Sequence, residues 1–379
     1  MKEEKSEAFL PKEIQAIRPE PILADIDIVS YNRTMPPKIA VDALVEGYSV
    51  LISDYYSSGL LVLNELKKHL KKKQLDEKEV HDKAQNKNQS FQIQREFRSV
   101  FRELSHRLLL IINQHKLNVK KAPEIGWFKI LYPGLETFLL PFSQVQGLNS
   151  SWQWYQKGID IPVLDRKIYP WYGTYFPTRF EHLKLFNRWL KTYKGEKKSA
   201  IDIGIGSGIL TFLMEKHGFE KVIGTDSNPN SILGIEEDLK MNKLSDKIIL
   251  KYGDLFADLN LKTELIVFNP PWMPAKYDVV GIDAAVYYED KLFSRFFAEA
   301  VKYLQNNGRL VLLFSNLAQI TNQTDIHPIE EELKSGGRFQ KEYYVQKKVS
   351  QASAKTKRNQ NWRQSESVEL WVLKMINKS

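Results

Sequence analysis

Four stretches of this chain end an apolar run in residues that can hold or orient a polar ligand. Ile201-Asp-Ile-Gly-Ile-Gly-Ser-Gly-Ile209 places Gly204, Gly206 and Gly208 directly after a strand-like run from Ser199 to Ile203. Glycines there let the backbone turn sharply and approach a ligand closely, and a helix beginning near Ile209 aims its amide groups at the same point. The G-x-G-x-G spacing is one residue shorter than the dinucleotide fingerprint G-x-G-x-x-G. Lys221-Val-Ile-Gly-Thr-Asp226 is a second apolar strand ending in a carboxylate, 22 residues after Gly204. An acid at that place in a doubly wound sheet accepts hydrogen bonds from ribose hydroxyls. Ile248-Ile-Leu-Lys-Tyr-Gly-Asp254 repeats the design with an acid that can reach an adenine amino group. Leu265-Ile-Val-Phe-Asn-Pro-Pro-Trp272 ends a fourth strand in a polar, rigid, aromatic cluster. Four strand ends pointing at one crevice make a site, and the order of the motifs is the signal.

With these residues in that order, the sequence resembles a class I S-adenosylmethionine-dependent methyltransferase over about residues 170 to 376. More narrowly it is similar to the branch carrying Asn/Asp-Pro-Pro-aromatic, which methylates planar amino or amide nitrogens. Tyr172-Gly-Thr-Tyr-Phe-Pro-Thr-Arg-Phe-Glu-His182 is similar to the proline-containing segment that precedes the first strand of HemK-type glutamine methyltransferases. HemK enzymes usually carry Tyr where this chain has Trp272. The resemblance implies that Gly204, Gly206, Gly208, Asp226, Asp254 and Leu255 bind the cofactor, with Asp202 near its methionine amino end. It implies that Asn269, Pro270, Pro271 and Trp272 handle the acceptor, Asn269 also bordering the cofactor.

The chemistry suits those residue types. S-adenosylmethionine has no phosphate, so the glycine turn needs no lysine; Asp226 suits the ribose diol and Asp254 the adenine amino group. The acceptor NH2 is a weak nucleophile whose lone pair is delocalised into a ring or carbonyl. Two acceptors, the Asn269 side-chain oxygen and the Pro270 carbonyl, can hold its two hydrogens and turn its lone pair towards the methyl group. Pro271 removes a donor and stiffens the turn. Trp272 is expected to stack on the planar target, worth about 1–3 kcal/mol for a base. Rate would then come mainly from orientation, without an obligatory general base.

The elements that must position these groups alternate strand and helix, which predicts an α/β fold with a Rossmann-like, mostly parallel, seven-stranded methyltransferase sheet. Strands are expected over 199–203, 221–226, 248–254, 265–268, 308–315, 339–349 and 368–375, the last two antiparallel as the resemblance implies. Thr178, with Glu181 three residues on, reads as a capping box for the helix leading to the first strand. Residues 273–290 form a long loop on the substrate side, with Tyr277, Asp278, Asp283, Tyr287 and Tyr288. Residues 1–38 read as an irregular arm. Helical spacing predicts one helix from Ile39 to about Gln74, broken near Ser57-Ser58-Gly59, and a second from Phe91 to His115. The division expected is a mainly helical N-terminal domain over 1–145, a hairpin-like connector over 146–175 turning at Lys157-Gly158, and the methyltransferase domain over 176–379.

Composition narrows the function classes. The chain has 379 residues, 42% hydrophobic and 27% charged, as in a globular protein of two domains. There is no cysteine, which excludes disulfides, thiolate metal ligands and thiol nucleophiles and fits a cytoplasmic protein. The longest apolar runs, Leu108–Ile112 and Leu310–Phe314, are too short to span a membrane, and the start lacks a signal-peptide core. Seven histidines lie without ligand spacing, and Asp226-Ser-Asn-Pro-Asn-Ser mimics a calcium loop only imperfectly, with Ser231 where glycine is needed, so no metal is expected. The net charge of +9 is uneven: residues 338–379 alone carry 10 basic and 3 acidic side chains. That basic stretch, with Lys355, Lys357, Arg358, Trp362 and Arg363, is either a solvated surface or a contact for RNA.

The acceptor expected is a macromolecule, a protein glutamine slightly ahead of an exocyclic amine of an RNA or DNA base. A non-catalytic S-adenosylmethionine-binding scaffold is opposed by the presence of Asp226, Asp254 and Asn269. A nicotinamide dehydrogenase is opposed by the glycine spacing and leaves Asn269–Trp272 without a role.

Overall fold

The computed structural model describes residues 14–23, 26–80, 87–244, 246–276, 285–349 and 365–376, with the side chains of 73–80 and 87–96 left aside. Tyr277, Asp278, Asp283, Lys355, Lys357, Arg358, Trp362 and Arg363 lie outside the described residues. The chain divides into two units, Arg18–Gln153 and Met1–Ile17 with Trp154–Ser379.

The first unit is rich in helix, but its helices are arranged around a sheet that the helical spacing did not announce. β1 (Ile28–Tyr31), α1 (Pro37–Glu46), β2 (Ser49–Ile52), α2 (Tyr56–Val80), α3 (Lys87–His106) and β3 (Leu108–Asn113) alternate, and the three strands pair in parallel in the order β1-β2-β3. β4 (Lys116–Leu117) folds back on β3, α4 (Trp127–Leu131) follows, and β5 (Thr137–Pro141) pairs antiparallel with β3. The helix expected from Ile39 stops at Glu46, because Gly47 takes a left-handed φ of +102° and ends it. The apolar run Leu108–Ile112, expected at the end of a helix, is an inner strand buried on both faces, between parallel β2 and antiparallel β5, which is why it reads as a continuous apolar run.

The connector also differs. Residues 142–157 form α5 (Phe142–Lys157) rather than one arm of a hairpin, and Gly158 leaves the helix at φ +67°. The hairpin lies further on, where β6 (Ile159–Asp160) pairs with β7 (Lys167–Ile168).

The second unit follows the expected architecture. After α6 (Glu181–Thr192) come β8 (Ser199–Ile203), α7 (Ile209–Lys216), β9 (Lys221–Asp226), α8 (Pro229–Asn242), β10 (Ile248–Tyr252) and β11 (Thr263–Phe268). A short pair, β12 (Met273–Pro274) with β13 (Tyr287–Tyr288), precedes α9 (Leu292–Tyr303), β14 (Leu304–Ser315), β15 (Phe339–Lys348) and β16 (Ser367–Met375). The seven long strands lie in the order β10-β9-β8-β11-β14-β16-β15, parallel except for β16, which is antiparallel to both neighbours. This is the seven-stranded, Rossmann-like, mostly parallel sheet that the sequence predicts. The strands send alternate residues to two cores. Ala200, Val222, Leu265 and Val311 pack on one side with α6, α7 and α8, and Ile201, Ile223, Ile266 and Leu310 pack on the other with α9.

The order reverses between β8 and β11, so the C-terminal ends of β8, β9, β10 and β11 open on one crevice, where ligands of such sheets bind. α6 begins at Glu181 with Phe180 as its cap residue and no side-chain cap bond, so Thr178 does not form the expected capping box. Among the described residues no helix is long and apolar enough to cross a membrane, and no group of three His, Asp or Glu side chains is placed to hold a metal.

Candidate active site

The glycine turn leaves β8 with Gly204, Gly206 and Gly208 all at positive φ, +66°, +51° and +77°. An L-residue is strained at each, which is why the sequence spends three glycines here. Gly208 is the cap residue of α7, and a Cβ on it would come within 2.6 Å of Ile235. A Cβ on Gly204 or Gly206 would meet nothing nearer than 3.7 Å or 3.6 Å, so the open side of the turn can accept a ligand.

Asp226 ends β9 with its carboxylate against this turn. The Gly206 amide donates to Oδ2 and the Asn228 amide to Oδ1, both at 2.8 Å. Each oxygen retains acceptor capacity, as a pair of ribose hydroxyls requires. Burial raises the Asp226 pKa, and the two backbone donors oppose that shift. Asn228 then caps α8 by accepting from the Asn230 amide at 3.0 Å and donates to the Gly173 carbonyl at 2.9 Å. Asn230 donates to the Tyr172 carbonyl at 2.7 Å. These bonds pin the segment upstream of α6 over the glycine turn.

The result is a cavity of about 550 Å³, within the usual range for a small-molecule site. Gly204, Gly206, Asp226, Asp254, Leu255, Asn269 and Pro271 all line it, so seven of the expected residues from four strand ends meet in one space. Asp202, Gly208, Pro270 and Trp272 are not among its described lining residues. Asp254 is engaged as well as present: the Arg295 guanidinium donates to its Oδ2 at 2.6 Å, from the first turn of α9. Leu255 adopts φ +45°, and its carbonyl accepts from the buried Thr225 hydroxyl. Trp272 donates its indole N–H to Asn269 Oδ1 at 3.2 Å and packs against both cores, rather than lying along the cavity wall.

Three lining residues lacked a clear sequence signal: Tyr175, His182 and Arg295. His182 follows Glu181 in the upstream segment and stands edge-on to Trp272, ring centres 5.5 Å apart. Burial holds its pKa down at about 4, so the ring is neutral at pH 7. Arg295 is one of many cations on amphipathic helices, and only the fold sets it beside Asp254.

Asp202 is fully buried; its Oδ2 accepts from the Thr211 hydroxyl at 2.7 Å, and its Oδ1 has no partner among the described residues. Burial, aided by the Asp226 charge, pushes its pKa up to about 7. An unpartnered buried acid beside the glycine turn fits the ammonium end of S-adenosylmethionine, as the open turn and Asp226 fit its ribose.

Residues 184–340 match the family described as the methyltransferase small domain. This part of the chain is similar to S-adenosylmethionine-dependent methyltransferase domains. A Methanocaldococcus jannaschii protein provisionally named a protein N5-glutamine methyltransferase is 30% identical over 129 residues, covering 32% of this chain and 64% of its own. A ribosomal protein L11 methyltransferase of Thermosipho africanus is 28% identical, covering 45% of this chain and 61% of its own. A ribosomal RNA small subunit methyltransferase C of Alcanivorax borkumensis is 29% identical over 31% of this chain and 33% of its own. The chain thus spans less than two thirds of the length of each. Among solved structures, a ribosomal protein L11 methylase of Lactobacillus delbrueckii subsp. bulgaricus overlaps 52% of this chain and 80% of its own, with 20% identity and a TM-score of 0.35.

The Asp202 environment has a measurable consequence. An acid whose pKa is raised on folding keeps its proton in the folded state while the unfolded chain has lost it, so its contribution to stability declines from about pH 4 to about pH 7 and is level above that. A neighbouring ammonium favours the charged carboxylate and reverses the shift. S-adenosylmethionine binding at pH 6 is therefore expected to release a proton, and affinity should rise towards pH 8. Calorimetry in buffers of different ionisation enthalpy reads that proton, and Asp202→Asn should remove it. Binding without pH dependence in the unaltered protein would place the ammonium elsewhere.

Proposed function

We propose that the protein transfers a methyl group from S-adenosylmethionine to a planar amide or amino nitrogen of a macromolecule, with a protein glutamine as the favoured acceptor. The observation that carries the reading is that Asn269 and Pro271 share one cavity with Gly204, Gly206 and Asp226. The cofactor supplies an electrophilic methyl group on sulfur when bound. The chain's own residues do the rest. Asp226 and the glycine turn fix the cofactor, and Asn269 with the Pro270 carbonyl takes the two hydrogens of the acceptor NH2. Pro271 keeps that turn rigid. Holding both partners in line contributes several kcal/mol, so a strong base is not needed. The name carried by the Methanocaldococcus relative supports a glutamine acceptor.

A nucleic-acid base is the second reading, and one structural observation favours it. β15 ends at Lys348 and β16 begins at Ser367, paired with each other at the sheet edge where β14 ends at Ser315. Arg179, in the segment upstream of α6, donates to Glu366 at 3.0 Å. The two ends of the basic connection are thus anchored on the site's edge of the sheet.

Labelled methyl transfer into cell extract separates the two. For a glutamine acceptor the label is expected to survive RNase, disappear from the macromolecular fraction with protease, and be recovered as N5-methylglutamine. Label released by RNase would replace the glutamine reading with the base reading. No label in either fraction would count against methyl transfer itself.

A further inference from the structure

Resting on the reading of Asn269 as the group that orients the acceptor nitrogen, we propose that Trp272 is a positioning residue: its indole N–H sets which way the Asn269 amide faces, and His182 holds the indole in place.

An asparagine amide has an accepting end and a donating end of nearly the same shape. The acceptor NH2 brings two donors, so only Oδ1 can receive it. With the amide turned over, one NH2 would face another. The indole N–H is a donor and nothing else, so its bond to Oδ1 at 3.2 Å selects the useful orientation. Oδ1 has two lone pairs, and one stays available for substrate. Phenylalanine at this position would fill space without choosing an orientation.

The packing agrees with this role. Trp272 is partly buried and packs against apolar side chains of both cores. A ring held in that way can fix a hydrogen bond but is poorly placed to slide over a substrate. His182 meets it edge-on, with an interplanar angle of 88°, and is 3% exposed. Its Nδ1 has no partner among the described residues, so that nitrogen does not fix the ring, and its edge-on packing on Trp272 does. A neutral ring also brings no positive charge towards a sulfonium.

Trp272→Phe keeps an aromatic ring and removes the N–H. Labelled methyl transfer into cell extract is expected to lose about tenfold in kcat, with S-adenosylmethionine affinity by calorimetry within about twofold of the original. In an Asn269→Ala background the same substitution should cost nothing further, because the group it orients is gone. A general weakening of the fold would instead multiply through both backgrounds. His182→Leu should show the same non-additivity, and His182→Phe, which restores a ring, should recover most of the rate. Independently of any acceptor, the Trp272 indole proton in ¹⁵N-labelled protein should exchange slowly and shift on Asn269→Ala. Full activity in Trp272→Phe, losses that multiply, or an indole signal unmoved by Asn269→Ala would each overturn the proposal. If no methyl transfer occurs in the unaltered protein, the underlying reading fails, and the indole signal alone decides whether the pair exists.

Discussion

Asp226→Ala is expected to remove most S-adenosylmethionine binding. On the proposed reading the carboxylate has two tasks. It would offer acceptors to the ribose hydroxyls, where charge-assisted bonds contribute about 1.5–3 kcal/mol. It also takes the amides of Gly206 and Asn228, both at 2.8 Å, and so ties the glycine turn to the start of α8. Alanine leaves those two donors without their partner and lets the turn relax, so the ligand loses direct bonds and the shape of its cradle together. A fall of at least about a hundredfold (roughly 2.7 kcal/mol) should appear in calorimetry. Asp226→Asn should lose less, because one amide oxygen can still accept while its NH2 faces a donor. Unchanged affinity in Asp226→Ala, or binding of NAD in preference, would remove Asp226 from the cofactor site.

The second large effect is expected at Asn269. Asn269→Ala should lower turnover on the order of a hundredfold or more while leaving cofactor affinity within about tenfold (1.4 kcal/mol). The reason is that, on the proposed reading, orientation of a weak nucleophile is the main source of rate, and misplacement of a reacting atom by about 1 Å can cost a hundredfold. Asn269 also borders the cavity proposed for the cofactor, so some effect on binding is compatible with its place. Single-turnover kinetics with labelled cofactor separates the two contributions. A variant in which affinity falls tenfold or more and the single-turnover rate at saturation is unchanged would move Asn269 wholly into the cofactor site.

The second unit was legible because its local and global signals agree. β8 and β9 occupy the stretches their apolar runs announce, Ser199–Ile203 and Lys221–Asp226. Each run is buried on both faces between parallel neighbours, so it reads as continuous apolar residues, and each ends in a residue the backbone or a ligand needs. The first unit misled for an equally physical reason. Val41 and Leu44 face the core from α1, while Leu51 and Ile52 belong to β2, yet all four continue one helical spacing. Gly47 was the signal that separates them, as the left-handed residue that ends α1.

The sequence by itself determined the chemistry on offer: three glycines at a strand end, two strand-end acids, and Asn-Pro-Pro-Trp after a fourth strand. Those features are local, since they depend on residue type and on spacing within a strand-turn unit. Only the tertiary structure decided what each group meets. The pairing of Arg295 with Asp254 joins residues 41 positions apart, and the contact of His182 with Trp272 joins α6 to the end of β11. The indole of Trp272 could have faced substrate or core with the same sequence around it. Packing settled it: the partly buried ring lies against both cores, with its N–H donating to Asn269.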